Sequence, residues 1–272
     1  MAVTQTDYSA DLVEAAKSVM LELTRLLGQY RDDIVIIGGW VPELLFSGHV
    51  GSIDIDLALN HLELQEVGYA TIERLLLDRG YRQSDKQPFI FHRTVVVNGK
   101  KIDVEVDLLA GEYEGTANSR RHQNIQDIKA RKARGCELAF DQPSEVTIGG
   151  TLPDGGKDTV KVRVASIVPF LVMKAMALYD RLKEKDAYDI YFCLLNYPGG
   201  LDALVEEFRP HMSHHLVTEA LGKIGEKFVD AEHVGPVHVA DFLEISDIEE
   251  RGLVQRDAYE RVNYLVRKLT AE

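Results

Sequence analysis

The sequence predicts an α+β protein, with a mixed sheet flanked by helices over residues 1–165 and a mainly helical domain over residues 166–272. Runs of β-branched or alternating apolar residues recur through the first part, which is typical of strands. After residue 166 the apolar residues follow three- and four-residue spacing, which indicates helices. A chain of 272 residues with 45% hydrophobic side chains can bury the core that this arrangement needs.

Charge and composition exclude several classes of protein. The net charge of −13 argues against non-specific coating of nucleic acid, which depends on Lys and Arg neutralising phosphates. No apolar run approaches the roughly 20 residues that cross a bilayer, so we expect a cytoplasmic protein with no membrane partner. The cysteines, Cys136 and Cys193, are too few for a zinc cage or a disulfide framework.

Residues 34–60 contain the most informative stretch, which begins with a glycine turn. The β-branched run Ile34–Ile37 suits a strand buried on both faces. Gly38 and Gly39 end it, and a pair of glycines allows a sharp turn with uncovered backbone N–H groups. A helix is predicted over residues 40–46. The start of such a helix is a place where a phosphate can bind.

Two carboxylates follow on the next predicted strand. In the sequence Ile-Asp-Ile-Asp-Leu that begins at residue 53, side chains alternate between the two faces, so Asp54 and Asp56 share one face. Carboxylates held side by side repel each other unless they stay solvated or a cation lies between them. Mg²⁺ is a hard ion that carboxylates and substrate phosphates bind. The alternative interpretation is a solvated strand face that carries two acids.

The combination of Gly38 and Gly39 with Asp54 and Asp56 resembles the signature of the polymerase-β-like nucleotidyltransferases. This resemblance covers about the first half of the chain. It implies an enzyme that transfers a nucleoside monophosphate from a nucleoside triphosphate (NTP) to a hydroxyl group, with Mg²⁺ or Mn²⁺ as cofactor. It also implies that Asp54 and Asp56 bind the metal, and that Gly38, Gly39 and Ser52 cradle the phosphates.

A hairpin is predicted next, because two strand-like runs meet at Asn98-Gly99, which is a strong turn signal. On its second strand Asp103, Glu105 and Asp107 alternate with apolar residues and share a face. An enzyme of the resembled type needs a third carboxylate from a neighbouring strand. We favour Asp107 as this catalytic and metal-binding residue, with Asp103 as the alternative and Glu105 third. A polar sheet face without catalytic function is the other interpretation.

Other elements are predicted by periodicity and turn signals. Helices are expected over residues 8–31, 62–79 and 121–134, and a further hairpin over residues 145–164. Positive charge concentrates in residues 120–134. This stretch offers a local basic site, although a solvated helix face paired with nearby acids would have the same composition.

Residues 166–195 predict a helix that begins after Ser166 as N-cap. On a continuous helix Lys174, Arg181 and Lys185 would line one face within about a turn of Asp189. Charged residues at this spacing have a simpler explanation as well. Asp186 could cap a helix that runs through residue 195, with Asp189 satisfying backbone donors, and no ligand is then needed.

This segment resembles the Lys, then Arg-x-Lys/Arg-Asp-x-x-Asp pattern of the AbiEii/AbiGii group of toxin-type nucleotidyltransferases. The matching residues are Lys174, Arg181, Lys183 or Lys185, Asp186 and Asp189. The resemblance implies that the lysine contacts nucleotide phosphates and that the downstream aspartate supports the site. It also implies that residues 166–272 complete the active-site cleft of the core.

The narrower resemblance implies a function. The substrates would be an NTP, such as ATP or GTP, and an RNA acceptor such as a tRNA. The biology would be a toxin-antitoxin or abortive-infection system with a cognate antitoxin protein. Three alternatives stay open: transfer to a small molecule of the aminoglycoside type, transfer to a protein side chain, or a nucleotide-binding module without catalysis.

Overall fold

The computed structural model describes residues 3–60, 64, 72–110, 122–125 and 128–270. The chain divides into two compact units. The N-terminal unit comprises Tyr8–Leu45 and Val50–Ser166, and the C-terminal unit comprises Ile167–Glu272 together with Met1–Asp7 and Phe46–His49. The segment Phe46–His49 therefore belongs to the C-terminal unit, although residues on both sides of it belong to the N-terminal unit.

Helix α1 and nine strands make up most of the described N-terminal unit. In chain order the elements are α1 (Ala10–Leu26), β1 (Ile34–Ile37), α2 (Val41–Phe46), β2 (Asp54–Leu59), α3 (Ile72–Asp78), β3 (Arg82–Gln83), β4 (Ile90–Val97), β5 (Lys100–Ala110), β6 (His122–Ile125), β7 (Ile128–Lys132), β8 (Ser144–Thr151) and β9 (Lys157–Val164). Seven strands lie side by side in the order β3-β4-β5-β2-β1-β9-β8, with β7 also paired to β5 and β6 paired to β7.

The sheet is mixed. Strand β2 runs antiparallel to β1 and parallel to β5, and β1 runs parallel to β9. Two hairpins, β4–β5 and β8–β9, are antiparallel. The first turns at Asn98 and Gly99, which both have positive φ, as a tight hairpin turn with right-handed strand twist requires. Both predicted hairpins and the predicted mixed sheet are confirmed.

Helix α1 covers the apolar face of the sheet. Its residues Met20 and Leu23 line the same apolar cavity as Ile55 and Leu57 of β2. Since side chains alternate along a strand, the acids that alternate with Ile55 and Leu57 point to the opposite face. The sheet thus separates an apolar, helix-covered side from a side that carries carboxylates.

The predicted helix over residues 121–134 is wrong where the structure describes it. Strands β6 and β7 form an antiparallel pair, and β7 lies parallel to the end of β5, with Leu109 opposite Arg131. The pairing of β7 with β5 is a contact between separate segments of the chain, and it overrides the local helical spacing. Arg120 and Arg121 of the basic stretch lie outside the described residues, as does the predicted start of the helix over residues 62–79.

The C-terminal unit is helical, as predicted. It contains α4 (Ile167–Arg181), α5 (Glu184–Asn196), α6 (Gly200–Phe208), α7 (His215–Lys227), α8 (Val234–Phe242) and α9 (Ile248–Thr270). Buried aromatic rings from four places in the sequence fill its core, namely Phe170, Phe208, Phe228 and Phe242. Across the described ranges, no helix has the length and apolar character to span a membrane.

Candidate active site

The acids of β2 and β5 lie on one face of the sheet. The register pairs Asp56 with Asp107 and Asp54 with Glu105 on two parallel neighbouring strands. Paired residues on neighbouring strands point to the same face. Four carboxylates therefore project from a patch two strands wide, on the side of the sheet that α1 does not cover.

Two candidates for the third carboxylate differ in their surroundings. Asp107 is buried, with 6% of its surface exposed, and lies opposite Asp56. Asp103 lies four residues earlier and pairs in register with Thr94. Its carboxylate accepts a hydrogen bond from Thr94 and forms an ion pair with Arg82 at 2.8 Å. Asp103 is thus held by groups on β3 and β4, whereas Asp107 neighbours the Asp-x-Asp motif.

The glycine turn touches the Asp56 carboxylate. Gly38 follows Ile37, which is paired with Asp56 across the β1–β2 ladder. A Cβ atom on Gly38 would lie 1.9 Å from the Asp56 Oδ2 atom, and Gly38 has a φ of +70°. Both the backbone conformation and the close approach therefore require glycine here. Gly38 and the buried Gly39 form a 3-10 turn with Trp40 before α2 begins.

Two hydrogen bonds hold Asp54. The Ser52 hydroxyl donates to Asp54 Oδ1, and the Trp40 indole Nε1–H donates to the Asp54 backbone oxygen at 2.9 Å. Ser52 is buried, so this hydrogen bond is shielded from solvent. A direct contact between the Ser52 hydroxyl and a phosphate would require this hydrogen bond to break. The sequence does not indicate this contact of Trp40, because a lone tryptophan after a glycine pair carries no functional signal.

A metal site can be judged by donor chemistry. As the side chains are placed, no three His, Cys, Asp or Glu residues in the described ranges stand close enough together to hold one metal ion. The acids on the shared face offer only carboxylate oxygens, which are the donors that hard divalent cations prefer. The donor set of Asp54, Asp56 and Asp107 therefore fits a cation of the Mg²⁺ class.

The C-terminal unit contains a second group of charged residues, which we call the ion-pair cluster: Lys174, Arg181, Lys185, Asp186 and Asp189. The Lys174 Nζ atom lies 2.9 Å from Asp186 Oδ1 and 2.7 Å from Asp189 Oδ2. Arg181 donates two hydrogen bonds to Asp186, at 2.7 and 2.9 Å. Lys185 lies 2.8 Å from Asp189 Oδ1. The four residues that the spacing brings together, Lys174, Arg181, Lys185 and Asp189, therefore do meet, and Asp186 joins them. The predicted continuous helix is wrong, because α4 ends at Arg181 and α5 begins at Glu184.

The structure separates the interpretations that the sequence left open for this segment. Lys185 is buried in the ion-pair cluster, whereas Lys183 is exposed at the start of α5. Helix α5 begins at Glu184, with Lys183 in the N-cap position, so Asp186 lies inside the first turn. The carboxylates of Asp186 and Asp189 bind side-chain cations. The simpler explanation, in which Asp186 caps the helix, is wrong.

The ion-pair cluster fixes the charge of its members. Burial opposes the ionised form of each group, but the neighbouring charges outweigh it. The pKa of Asp189 is held well below its usual range by Lys174 and Lys185, and the pKa of Asp186 is lowered by Lys174 and Arg181. The same two carboxylates raise the pKa of Lys174. Lys174 is therefore a permanent cation at neutral pH.

A histidine that was not predicted joins this cluster. The His49 Nε2 atom lies 2.9 Å from Asp189 Oδ1, and both side chains are fully buried. His49 lies in the sequence Ser-Gly-His-Val-Gly-Ser, whose glycines and serines predict a loop. Its partner lies 140 positions further along the chain, so no local signal could have identified it.

The structure thus places the predicted site residues in two groups. Gly38, Gly39, Ser52, Asp54, Asp56 and Asp107 lie in the N-terminal unit, and the ion-pair cluster lies in the C-terminal unit. An acidic sheet face beside a glycine turn, followed along the chain by a helical unit with a charged cluster, is consistent with the nucleotidyltransferase fold. This class is the one that the comparison with known families supports.

A family model described as "Nucleotidyl transferase AbiEii toxin, Type IV TA system" matches residues 23–259, which is most of the chain. The chain belongs to this family of nucleotidyltransferase toxins of type IV toxin-antitoxin systems. The comparisons with curated proteins and with solved structures give no significant match. The family resemblance and the α+β nucleotidyltransferase fold class predicted from the sequence are both confirmed.

Proposed function

We propose that this protein is a metal-dependent nucleotidyltransferase that moves a nucleoside monophosphate from an NTP to a hydroxyl group of RNA, for example a tRNA. The observation that carries the proposal is the register that pairs Asp56 with Asp107, while Asp54 projects from the same face. Membership of the AbiEii family supports the class of reaction. The family supports the class of reaction alone, so the choice of nucleotide, metal and acceptor belongs to the proposal.

Each carboxylate has a role in this proposal. Asp54 and Asp56 would hold a divalent cation, and Asp107 would complete the set of ligands from the neighbouring strand. The bound cation would polarise the α-phosphate and lower the pKa of the acceptor hydroxyl. Ser52 and Trp40 orient Asp54 through their hydrogen bonds. Gly38 leaves room for the Asp56 carboxylate and, with Gly39, offers backbone N–H groups to the phosphates.

The reaction is an in-line displacement at the α-phosphorus. The acceptor hydroxyl loses its proton to solvent, its oxygen bonds to the α-phosphorus, and the bond between the α-phosphorus and the bridging oxygen breaks. The products are the nucleotidylated acceptor, pyrophosphate and a proton. The sheet supplies fixed positions for the three acids, so little reorganisation is needed as charge moves to the leaving group.

For the ion-pair cluster we propose nucleotide binding. Lys174 is charged at neutral pH, and an ammonium group has three donors, of which Asp186 and Asp189 account for two. Lys174 would contact a phosphate, and Arg181, whose side chain is 46% exposed, would add positive charge. Asp186, Asp189 and Lys185 keep these cations in position.

The acceptor and the antitoxin rest on family membership. A toxin of a type IV system is paired with a cognate antitoxin, which we propose as the physiological partner. RNA is favoured as acceptor because the resembled group acts as toxins through nucleotide transfer. The overall charge of −13 means that RNA binding would have to use a local site rather than the whole surface.

The test is nucleotide transfer by the intact protein. The protein is incubated with Mg²⁺ or Mn²⁺, each α-labelled NTP in turn, and total cellular RNA, with an aminoglycoside in a parallel reaction. We expect label in an RNA band with one preferred NTP, and none with Asp54→Ala/Asp56→Ala. Label only on the aminoglycoside or only on the protein would show that this molecule, and not RNA, is the acceptor. NTP binding without any transfer, unaffected by Asp54→Asn, would indicate a module without catalysis.

A further inference from the structure

His49 connects the segment between the glycine turn and β2 to the ion-pair cluster. In sequence it lies between the Gly38-Gly39 turn and the Asp54-Ile-Asp56 strand. In the structure it belongs to the C-terminal unit, where its Nε2 atom lies 2.9 Å from Asp189 Oδ1. The chain segment that joins the two motifs is therefore attached to a carboxylate of the ion-pair cluster.

The His49 ring has a fixed position. It stacks on Tyr188 with ring centroids 5.2 Å apart, and it packs against Phe192 in a T-shaped arrangement with centroids 4.8 Å apart. Its side chain is fully buried. Packing between two aromatic rings restricts both side-chain torsions, so the direction of the Nε2 atom is set by the fold.

The direction of the hydrogen bond follows from the charges around it. Asp189 is ionised, because Lys174 and Lys185 hold its pKa well below the usual range, and an ionised carboxylate only accepts hydrogen bonds. Burial lowers the pKa of His49, against the effect of Asp189, and so favours the neutral imidazole. The proton of that neutral ring must lie on Nε2 for the contact to be a hydrogen bond.

Three donors share the Asp189 carboxylate. His49 and Lys185 contact Oδ1, and Lys174 contacts Oδ2. The two oxygens belong to one rigid group, so a donor that fixes Oδ1 also fixes the direction in which Oδ2 faces Lys174. Loss of the His49 donor would remove one of the contacts that set the rotation of the carboxylate, and with it the position of the Lys174 ammonium.

We propose that His49 is a positioning residue for nucleotide binding, which acts by orienting Asp189 and, through it, Lys174. This inference rests on the proposed function and deepens it. The role differs from that of a packing residue, because it depends on the Nε2–H donor and not only on the aromatic ring. It also differs from a catalytic role, because His49 acts through Asp189.

Three substitutions separate the donor from the ring. His49→Phe keeps a ring between Tyr188 and Phe192 but removes the donor. His49→Gln keeps an amide N–H donor at a reach close to that of Nε2, whereas His49→Asn is one methylene shorter and falls short of Asp189. The dissociation constant of a non-hydrolysable NTP analogue with Mg²⁺, and the KM and kcat of transfer, are measured for each variant, with thermal unfolding as the check on folding.

We expect His49→Phe and His49→Asn to raise the dissociation constant and KM roughly tenfold or more, which is the scale for a lost hydrogen bond to a charged group. His49→Gln should restore most of the affinity. If His49→Phe fails to fold, the comparison of His49→Asn with His49→Gln decides. Equal affinities in these two variants, or an unchanged affinity in folded His49→Phe, would overturn the proposal.

A double substitution tests whether His49 acts through Asp189. His49→Phe should weaken NTP binding in the unaltered chain but add little in an Asp189→Asn background, because the carboxylate it orients is then absent. Fully additive effects would contradict the proposal. If the unaltered protein binds no NTP, the proposed function and this inference both fail. If it binds and transfers while the His49 variants behave normally, only this inference fails.

Discussion

Asp56 on β2 and Asp107 on β5 occupy paired positions on neighbouring parallel strands. Both strands lie inside the seven-strand path of the sheet, with neighbours on each side. Their separation is therefore set by the ladder of backbone hydrogen bonds and not by a flexible loop. A pair of acids fixed in this way is suited to a site that must hold charge in place.

The third carboxylate can be identified by comparing two aspartates of one strand. Asp107→Asn should lower transfer by about a hundredfold or more, because metal-assisted charge stabilisation contributes several kcal/mol. Asp103→Asn should have a much smaller effect, because Asp103 is half-exposed and paired with Arg82. Both are measured by labelled-NTP transfer, with circular dichroism to verify folding. The reverse order of effects would assign the third position to Asp103.

The close approach of the Gly38 backbone to Asp56 predicts a strong effect of adding one methyl group. Gly38→Ala should cost more than the roughly 1–2 kcal/mol of a left-handed backbone conformation, because the new Cβ would collide with Asp56. Gly99→Ala is the matched control, since Gly99 has a φ of +78° with open space around it. Urea unfolding compares the two. Equal losses of unfolding free energy would show that the contact with Asp56 contributes nothing.

The ion-pair cluster predicts a large penalty for removing its central cation. Lys174→Met should lower the unfolding free energy by about 3–5 kcal/mol, because it leaves two buried carboxylates without their shared partner. Lys183→Met, at the exposed start of α5, should change stability by less than about 0.5 kcal/mol. Urea unfolding at neutral pH measures both. A small effect at Lys174 would mean that water reaches the cluster readily.

The depressed pKa values of Asp186 and Asp189 predict acid sensitivity. A carboxyl group whose pKa is lower in the folded state stabilises the fold above its ordinary pKa of 3.8, and this contribution is lost as the pH falls through the folded-state value. The unfolding free energy should thus decline as the pH falls below about 4. The decline should be smaller in Asp189→Asn, which has one such group fewer. An identical pH dependence would contradict the assignment.

The hydrogen bond between Ser52 and Asp54 predicts a graded effect on activity. Ser52→Ala leaves the Asp54 backbone anchored by Trp40 but frees its carboxylate. We expect transfer to fall about tenfold, the scale of one hydrogen bond to a charged group, with little change in thermal stability. Ser52→Thr, which keeps the hydroxyl, should retain more activity than Ser52→Ala. Similar losses in both would point to the size of the side chain and not to its hydroxyl.

Local chemistry was sufficient to predict much of the fold. The Asn98-Gly99 turn and the alternation of acids along β2 and β5 depend on neighbouring residues, and the structure has them where the sequence indicated. The register between β2 and β5 depends on residues some 50 positions apart. A shift of two residues would keep every side chain on its face and place Glu105 opposite Asp56, so the pattern alone could not decide.

The wrong prediction over residues 121–134 and the unpredicted contact of His49 have the same origin. Residues 121–134 have helical spacing, but the end of β5 offers an open edge, and β7 pairs with it. His49 is one histidine in a stretch with glycine and serine neighbours, and its hydrogen-bond partner Asp189 lies in a helix far along the chain. Local patterns describe which structure a segment prefers, while long-range partners determine which preference prevails.

The assignment of Phe46–His49 to the C-terminal unit has a consequence for dissecting this protein. Phe46 contacts Tyr197 edge-on, and His49 contacts Asp189, so a fragment that starts at residue 167 would lack side chains that its own core packs against. Residues near the N-terminus also contact the C-terminal unit, because Thr6 donates two hydrogen bonds to Glu244. A cut after Ser166 therefore separates the C-terminal unit from two of its own segments. Neither half, when produced alone, should have the structure that it has in the whole chain.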